Sequence, residues 1–459
     1  MISVLEAAEE LVERREARAR LIPFAQYTFP EYDAADHLYT VADKLEAVER
    51  GEIDRLMVFA PPRHGKTEMA SIRFAAWYLG RNPQKQVIAT SYAESLAYSN
   101  SYSVRTTIES PQYQRLWAAN LDRSGAVRWQ LEGKDNNRAS YIAAGVGGGI
   151  TGEGADLLII DDPFKNREEA ESLVIREKVW SWYRTVARTR LQPGAAVILI
   201  MTRWHCDDLA GKLLKQAETD PDADQWEVLH LKAIDENDNA LWPSQYPIEV
   251  LIKIRASIGS QDFTALFQGS PTEAKGSVFK RRWWRYYKAR PKFTRIIQSW
   301  DTAFKEDEVN DYSVCSTWGE ADSGYYLLDV WRGKVEFPEL KRTTRAAYDN
   351  GTDRPCAMLI EDKASGQSLI QELKRCEVDQ VKLPILAVKA DTSKLLRAKT
   401  VTPLIEAGLV YLPEHAPWLH EYVEELSAFP TAVHDDQVDS TTQALAYLSG
   451  RNQTSWLPI

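Results

Sequence analysis

The chain has 459 residues, of which 44% are hydrophobic and 27% are charged, and its formal net charge is −10. This length exceeds one ordinary core, so we expect two or three domains, and the composition excludes a disordered chain. The acidic balance excludes a generally basic nucleic-acid coat, although DNA binding requires only a local basic surface.

The sequence pattern carries no export signal. The N-terminal stretch MISVLEAAEELVERREARARL predicts a charged helix without an apolar signal core, and every apolar run is shorter than a membrane span. Cys206, Cys315, Cys356 and Cys376 lack paired spacing, which fits a reducing compartment and predicts neither a zinc knuckle nor a disulfide framework. We therefore expect a soluble intracellular protein without a membrane partner.

Residues 1–50 predict helices, and after Gly51 apolar strands alternate with helices. The strands of this region are predicted from the runs RLMVFA, QVIATS, ADLLIIDD and AAVILIMT, with one long helix at NREEAESLVIREKVWSWYRTVARTRL. Such alternation is typical of a mostly parallel sheet with helices on both faces. We assign residues 1–240 to this α/β domain, with 1–50 as its helical segment.

Glycine, proline and serine recur between residues 241 and 290, which predicts a linker or small subdomain. A second α/β pattern covers residues 291–450. It contains the strand RIIQSWD, a hairpin of YSVCSTWG and GYYLLDVWRG, the strand CAMLIED and the final helix DDQVDSTTQALAYLSG. Residues 451–459 are predicted to form a short tail.

The stretch VFAPPRHGKTEMA, residues 58–70, lies between a predicted strand and a predicted helix and matches a phosphate-binding loop in which alanine replaces the first glycine. Lys66 would neutralise the β- and γ-phosphates, the Thr67 hydroxyl would bind Mg²⁺, and the helix N-terminus would offer free N–H groups. A plain strand–helix connection is the alternative. The predicted nucleotide contacts of this stretch are Pro62, Arg63, His64, Gly65, Lys66, Thr67 and Glu68.

The strand LLIIDDP ends in two carboxylates, as a Walker B segment does. Asp161 would hold the Mg²⁺ shell, and Asp162 would orient and polarise the attacking water. Asp162 occupies a position where motor ATPases usually carry Glu. A strand end with solvated acids is the alternative for Asp161 and Asp162. A third apolar strand ends in Thr202 and Arg203, which predicts contact with the γ-phosphate; the alternative is a strand that ends in Thr-Arg without a functional reason.

Two arginines are candidates to stabilise charge in the transition state of phosphate transfer. Arg63 lies in the loop itself, and Arg138 precedes a glycine-rich stretch between the two phosphate motifs. Either could act within its own subunit or across a subunit boundary. Ordinary surface arginines are the alternative for each.

A second set of acids occurs late in the chain, at two strand ends and at the start of the last helix. Carboxylates that meet on one face repel one another unless cations lie between them, and two Mg²⁺ or Mn²⁺ ions could clamp a phosphodiester there. Helix N-terminal charge is the alternative for Asp435 and Asp436. The candidate metal ligands are Asp301, Glu361, Asp362, Asp435, Asp436 and Asp439, with Asp301 also assigned to catalysis.

Residues 279–295, FKRRWWRYYKARPKFTR, contain eight basic residues and no acid, interleaved with aromatic side chains. The segment is a candidate for contact with DNA phosphates. The alternative is a segment between domains whose aromatic side chains pack inward. Lys394, Arg397 and Lys399, on a predicted helix, are further candidates for DNA contact.

Six motifs, in this order, resemble those of the large terminase subunit of tailed double-stranded DNA bacteriophages and prophages. They are PPRHGKTE, GGGITGEGADLLIIDDP, MTRWHCDDLAG, SWDTAF, LIEDKASGQSLIQEL and HDDQVDSTTQAL. The resemblance covers nearly the whole chain. It implies an α/β protein with an N-terminal P-loop ATPase of the ASCE type and a C-terminal RNase H-like nuclease domain.

The resemblance also implies a function. ATP hydrolysis with Mg²⁺ would move double-stranded DNA into the procapsid, and a nuclease with two Mg²⁺ or Mn²⁺ ions would cut concatemeric DNA. The implied partners are the portal protein of the procapsid, a small terminase subunit, and further copies of the chain in a ring, commonly of five subunits. The expected location is the host cytoplasm, transiently at the portal, and not the mature virion.

By the resemblance, Lys66, Thr67, Asp161 and Asp162 serve ATP hydrolysis, and Thr202 belongs to the coupling motif. Metal ions are held by Asp301, by Glu361 or Asp362, and by an acid of the Asp435–Asp439 group. Gln26, in FAQYTFPEY, is the counterpart of the adenine-recognition residues. Two other functions stay open at this point: a helicase-like DNA-dependent ATPase without nuclease activity, and an RNase H-like recombinase or transposase.

Overall fold

The computed structural model describes residues 4–125, 127–132, 138–150, 152–272, 277–302, 312–349, 354–362, 364–375, 383–389, 392–430, 434–450 and 456–458. Contacts divide the chain into two compact units. The first comprises Met1–Arg255 and Ser260–Glu273, and the second comprises Ala256–Gly259 and Ala274–Ile459. None of the described helices is long and apolar enough to cross a membrane.

The chain as far as residue 273 contains both a sheet and the helices that cover it. The strands are β1 (Arg55–Phe59), β2 (Gln86–Ser91), β3 (Asn120–Ser124), β4 (Arg128–Glu132), β5 (Arg138–Gly145), β6 (Ala155–Asp161), β7 (Leu191–Met201) and β8 (Glu227–His230). The helices are α1 (Val4–Ala19), α2 (Leu21–Thr28), α3 (Asp36–Glu49), α4 (Phe74–Arg81), α5 (Glu94–Glu109), α6 (Pro111–Leu116), α7 (Arg167–Glu171), α8 (Leu173–Trp182), α9 (Leu209–Thr219), α10 (Ile248–Ile258) and α11 (Ser260–Leu266).

Within the described residues, the first sheet has the strand order β3-β4-β5-β2-β6-β7-β1-β8, and the strands from β5 to β8 run parallel. The central parts of β1, β6 and β7 are apolar because helices cover both faces of the sheet, where two separate apolar clusters form. Strand β7 lies between β1 and β6. The predicted α/β class and mostly parallel sheet are confirmed.

Three local features differ from the sequence expectation. Strands β3 and β4 extend the sheet as an antiparallel hairpin, which the polar run around residues 120–132 did not indicate. The single long helix predicted after β6 is broken, because the Ser172 hydroxyl accepts the N–H of Ile175 at 3.4 Å and starts a new helix there. A π-helical segment, Glu68–Arg73, precedes α4.

The second unit is built around another mixed sheet. Its strands are β9 (Arg285–Tyr287), β10 (Arg295–Asp301), β11 (Ser313–Ala321), β12 (Gly324–Gly333), β13 (Ala357–Glu361), β14 (Ile385–Val388), β15 (Val410–Pro413) and β16 (Trp456–Pro458). The helices that follow residue 273 are α12 (Phe337–Asp349), α13 (Ala364–Arg375), α14 (Lys394–Glu406), α15 (Leu419–Ala428) and α16 (Asp436–Leu448).

This second sheet has the described order β16-β14-β13-β10-β11-β12-β15-β9. Strands β10, β11 and β12 form the antiparallel meander expected from the sequence, while β13 pairs with β10 in parallel. Because parallel strands end at the same edge, Asp301 and Glu361 are brought to one edge of the sheet. Helix α16 packs across β10 and β11 and carries the remaining acids to that edge.

Candidate functional site

The loop after β1 is held in a tight conformation by two residues with positive φ. Arg63 has φ 60° and Gly65 has φ 81°, and a Cβ at position 65 would lie 3.1 Å from Leu38 Cδ2. The backbone therefore favours glycine at 65, and a Cβ there would also require the Leu38 side chain to shift. Ala60, at the position of the missing glycine, continues the strand, since its N–H donates to the Met201 carbonyl at 3.4 Å.

The Lys66 side chain is buried between the ends of two neighbouring strands. Its ammonium donates to Thr202 Oγ1 at 2.8 Å and lies 3.1 Å from Asp162 Oδ2. The N–H of Thr202 also donates to Asp162 Oδ1, at 2.8 Å. The structure thus brings together three predicted residues from three separate motifs.

Asp161 is fully buried beside the start of the helix that follows the loop. Its two carboxylate oxygens accept from Thr67 Oγ1 at 3.2 Å and from Ser71 Oγ at 2.7 Å. Burial and the neighbouring Asp162 raise the pKa of Asp161 to about 7, against the opposing effect of Lys66. Sequence reasoning missed Ser71, although its i+4 spacing from Thr67 was a usable signal.

Asp162 adopts φ 43°, a left-handed conformation that few residues other than glycine tolerate. Its backbone is fixed on both sides, because its N–H donates to the Ile200 carbonyl at 2.9 Å and its carbonyl accepts from Tyr92 at 3.1 Å. The turn directs the carboxylate toward Lys66 and Thr202. Strained backbone of this kind is concentrated at functional sites.

His64 turns its ring away from Lys66 into an aromatic group. The imidazole stacks on Tyr246 with centroids 4.6 Å apart, and Trp242 and His37 pack at its edges. The carbonyl of His64 lies 2.9 Å from His37 Nε2. Burial lowers the pKa of His64 to about 4, so the ring is neutral at physiological pH. Only the backbone of His64 is left to contact a phosphate.

The other residues predicted for this site lie at its margins. Glu68 pairs with Arg73 at 2.7 Å, and Arg63 and Gln26 are exposed. Gln26 belongs to α2, whose end approaches the loop helix where Arg73 lies 5.1 Å from the Phe29 ring centroid. Arg138 begins β5, and its side chain lies outside the described part of the chain.

Arg203, predicted to sense the γ-phosphate together with Thr202, instead serves the core. Its guanidinium donates to the fully buried Asp208 at 2.8 Å and lies 4.7 Å from the centroid of Phe59. Asp208 in turn caps α9 by accepting from the Gly211 N–H at 3.0 Å. A structural role explains this arginine fully.

The late acids form a second cluster in the other unit. Asp301 is half-buried at the end of β10, and loss of solvation together with the charges of Asp439 and Glu361 raises its pKa well above the ordinary range. The charge of Glu361 is among those that act on Asp301. The N–H of Asp362 donates to the Val388 carbonyl at 2.7 Å, which ties this residue to β14.

Helix α16 is locked to the sheet by one serine. Ser440 Oγ donates to the Ser299 carbonyl at 2.8 Å and accepts from the Ser316 N–H at 3.2 Å. These bonds join α16 to both β10 and β11 just before Asp301. They fix the position of Asp439, the residue that precedes Ser440.

Two basic residues from α14 lie among these acids. Lys394 Nζ is 2.6 Å from Asp435 Oδ1 and 2.8 Å from Asp439 Oδ2. Arg397 approaches the other Asp439 oxygen at 2.5 Å. Both cations had been predicted as DNA contacts, and the structure places them on the acid cluster itself.

Asp436 faces a different neighbourhood from Asp435 and Asp439. It lies 3.8 Å from Arg332, which also pairs with Glu425 at 3.4 Å. Burial and the Glu425 charge raise the pKa of Asp436 to about 6. Asp436 is therefore the predicted acid that pairs with Arg332, although its charge also acts on Asp301.

The donor set around Asp301 suits a hard divalent cation, because all its members are carboxylate oxygens. Within the described residues, no three acidic, histidine or cysteine side chains already converge on one ion position. The reason lies in the geometry given above, since Asp435 and Asp439 are turned toward Lys394 and Arg397. Loading with metal would require Asp435 and the Oδ2 atom of Asp439 to be released from Lys394.

The basic aromatic segment 279–295 is divided between the core and the surface. Phe279 and Trp284 are buried, and β9 forms one edge of the described sheet. Arg281 pairs with Glu424, and Arg295 lies 2.5 Å from Glu320. The inward packing predicted as the alternative thus applies to the two buried rings, whereas most of the basic side chains are exposed.

Two family models match this chain, and together they cover both sites. Residues 57–285 match the N-terminal model of the T4likevirus-type terminase large subunit, and residues 298–448 match the terminase RNaseH-like domain. The chain belongs to the large terminase family. It is thus a DNA-packaging protein with an ATPase domain and an RNase H-like nuclease domain.

Solved terminases show the same fold. The large terminase of the thermophilic bacteriophage D6E has a TM-score of 0.53 at 12% identity, over 90% of this chain and 99% of that chain. The same D6E protein in complex with ATP-γ-S has a TM-score of 0.50 at 12% identity, over 90% and 98% of the two chains. No curated protein matches this terminase.

Proposed function

We propose that this terminase couples ATP hydrolysis around Lys66 to the movement of double-stranded DNA, and cuts that DNA at the acid cluster around Asp301. The contact of Lys66 with both Asp162 and Thr202 carries the first part of the proposal. It joins the phosphate loop, the Walker B strand and the following strand in one buried site. The family supports the second part.

In the ATPase site, Lys66 would leave Asp162 to neutralise the β- and γ-phosphates, while the backbone of Pro62–Gly65 surrounds them. Thr67 and Asp161 would hold Mg²⁺, which supplies positive charge to the phosphates when bound. Asp162, freed from Lys66, would accept a hydrogen bond from the attacking water, and Thr202 would sense the γ-phosphate. The end of α2, with Gln26 and Phe29, would bind adenine.

In the nuclease site, Asp301, Glu361, Asp435 and Asp439 would hold two Mg²⁺ or Mn²⁺ ions. Such ions stabilise the attacking and leaving oxygens of a phosphodiester. The chain's own contribution is the rigid placement of Asp301 and Asp439 on a strand end and on a helix locked to it. Asp362, next to Glu361, is a further candidate, and Asp436 is the weaker one because it pairs with Arg332.

We further propose the assembly that such a motor requires. The chain would act in the host cytoplasm as a ring, commonly of five copies, docked on the portal protein of the procapsid, with a small terminase subunit that selects DNA. Arg63, exposed and rigidly held, is the candidate to reach a neighbouring nucleotide, and Arg138 is the second candidate. The mature virion would not contain it.

Two variants of the full chain test whether the sites are separate. Lys66→Ala should abolish ATP hydrolysis and ATP-dependent DNA uptake into procapsids, but keep Mn²⁺-dependent nicking of plasmid DNA. Asp301→Asn should abolish nicking of plasmid DNA but keep ATP hydrolysis. Lys44→Ala, which removes an exposed lysine, is the control. Nicking that survives in Asp301→Asn would place the nuclease elsewhere, whereas absence of nicking in the natural chain would leave a helicase-like ATPase.

A further inference from the structure

Lys394 holds the position that a metal ion would need. Its ammonium contacts Asp435 at 2.6 Å and Asp439 at 2.8 Å, and its charge also acts on Asp301. We propose that Lys394 is a built-in counter-cation which competes with divalent metal for the acid cluster, and so keeps the cutting site unloaded until DNA binds. This inference rests on the proposed nuclease function.

The position of Lys394 is not explained by the stability of its helix. It is the first residue of α14, next to the N-cap Ser393, whose hydroxyl accepts the Leu396 N–H at 3.3 Å. A positive charge at a helix N-terminus opposes the helix dipole. The favourable contacts that hold the Lys394 ammonium are those with Asp435 and Asp439 on α16.

Lys394 can be displaced, whereas its neighbour Arg397 is fixed. The Arg397 guanidinium binds both Asp439 at 2.5 Å and the Thr392 carbonyl at 3.0 Å, and its side chain is 15% exposed. The Lys394 side chain is 46% exposed and ends in a flexible stem. Arg397 therefore orients Asp439 permanently, while Lys394 acts as a removable charge.

A divalent ion entering the cluster must replace the ammonium, so each metal contact with Asp435 or Asp439 costs an existing ion pair. The released ammonium needs another anion nearby, and a DNA phosphate beside the metal supplies one. Metal binding releases the Lys394 ammonium, and a DNA phosphate captures it. Metal loading and DNA binding therefore favour each other. A subunit that moves long DNA avoids cutting it at the wrong time if its nuclease site binds metal only when a DNA phosphate is in place.

The test is calorimetric titration of the full chain with Mn²⁺, without nucleotide or DNA. The part of the measured Mn²⁺ binding that is lost in Asp301→Asn is assigned to this acid cluster. Removal of one competing charge should tighten that component about tenfold in Lys394→Ala. Lys394→Arg, which keeps the charge, should bind like the natural chain, and Lys374→Ala removes an exposed lysine of the same unit as the control.

Thermal unfolding supplies the second readout. Without metal, Lys394→Ala should melt at a lower temperature because its acids repel, and Mn²⁺ should raise its melting temperature more than that of the natural chain. Lys394→Met retains the aliphatic stem and serves if the alanine variant fails to fold. Unchanged or weaker Mn²⁺ affinity in folded Lys394→Ala or Lys394→Met overturns the inference, whereas absence of any Asp301-dependent binding overturns the nuclease proposal itself.

Discussion

The ammonium of Lys66 lies 3.1 Å from the carboxylate of Asp162, so the residue predicted to bind phosphate is paired with the residue predicted to activate water. Neither group is available for its task until the pair separates. The γ-phosphate of ATP is the anion that can replace Asp162 as the partner of Lys66. Under the proposed function, nucleotide binding and release of the Asp162 carboxylate would therefore be one event.

Asp162→Asn should separate binding from hydrolysis. The amide keeps the shape and removes the charge that holds Lys66, so ATP affinity should be kept or increased. Loss of the group that activates water should lower turnover about 100-fold or more. Binding of a fluorescent ATP analogue and phosphate release measure the two effects, with Asp43→Asn, in an exposed ion pair, as control. Unchanged turnover would remove Asp162 from the mechanism.

The strained backbone of Asp162 gives a separate stability prediction. At φ 43°, alanine is disfavoured, whereas glycine is not. Asp162→Gly should therefore be more stable than Asp162→Ala by about 1 kcal/mol, although glycine is the more flexible residue when unfolded. Urea unfolding of the two variants measures the difference. Equal stability, or a more stable alanine variant, would show that the turn relaxes.

Much of this architecture could be predicted from the sequence, because it is carried by local patterns. Strands β1, β6 and β7 contain apolar runs, and the strands β10–β12 of the meander alternate apolar with polar residues. The hairpin of β3 and β4 could not be predicted, since its short strands are largely polar. Its place in the sheet is set by pairing with β5.

The residues of the two candidate sites also differ in whether the sequence could predict them. Lys66, Asp161 and Asp162 could be proposed from the sequence because two motifs together predict a nucleotide site. The contact of Lys394 with Asp435 was not identifiable, because the two residues are separated by 41 positions and meet only through the packing of α14 on α16. Long-range charge pairing leaves no periodic signal in a single sequence.

His64 predicts a component of the acid sensitivity of the first unit. Its pKa is about 4 in the folded chain against an ordinary value of 6.5, so protons favour the unfolded state between these pH values. Stability from this residue is complete above pH 6.5 and is lost as the pH falls toward 4, by about 3 kcal/mol in all. His37 and Lys66 add to the effect by repulsion.

His64→Phe is the matching variant, because a phenyl ring can still stack on Tyr246 but cannot be protonated. Its free energy of unfolding should fall less than that of the natural chain between pH 6.5 and pH 4, in urea titrations at each pH. His37, whose pKa burial also lowers, remains in both proteins and cancels in the comparison. Parallel pH curves would mean that His64 is solvated in solution.

The stack of His64 on Tyr246 also predicts a role for residue 246 in nucleotide binding. Tyr246→Ala removes the ring that supports the loop, and should raise the KM for ATP several-fold while kcat changes less, because Lys66 and Asp162 are untouched. Tyr246→Phe keeps the stack and should behave like the natural chain. Steady-state hydrolysis kinetics separate the two constants. An equal loss in both variants would assign the effect to the hydroxyl.

The basic segment 279–295 predicts opposite results for its buried and exposed members. Trp284→Ala leaves a cavity in the core, where the ring packs near Tyr422, and should cost about 3–5 kcal/mol of stability. Arg282 and Lys292 are exposed, so the double variant Arg282→Ala/Lys292→Ala should unfold like the natural chain.

If Arg282 and Lys292 contact DNA phosphates, their removal weakens duplex binding uniformly across sequences. The slope of log affinity against log salt should fall by about two, since each phosphate contact contributes about 0.9. Fluorescence anisotropy with a labelled duplex, over a series of salt concentrations, measures the slope. The control Lys215→Ala/Lys253→Ala removes the same charge from exposed positions of the first unit. Equal slopes in both double variants would mean that the segment makes no specific phosphate contact, because the change in net charge alone would then account for the change in affinity.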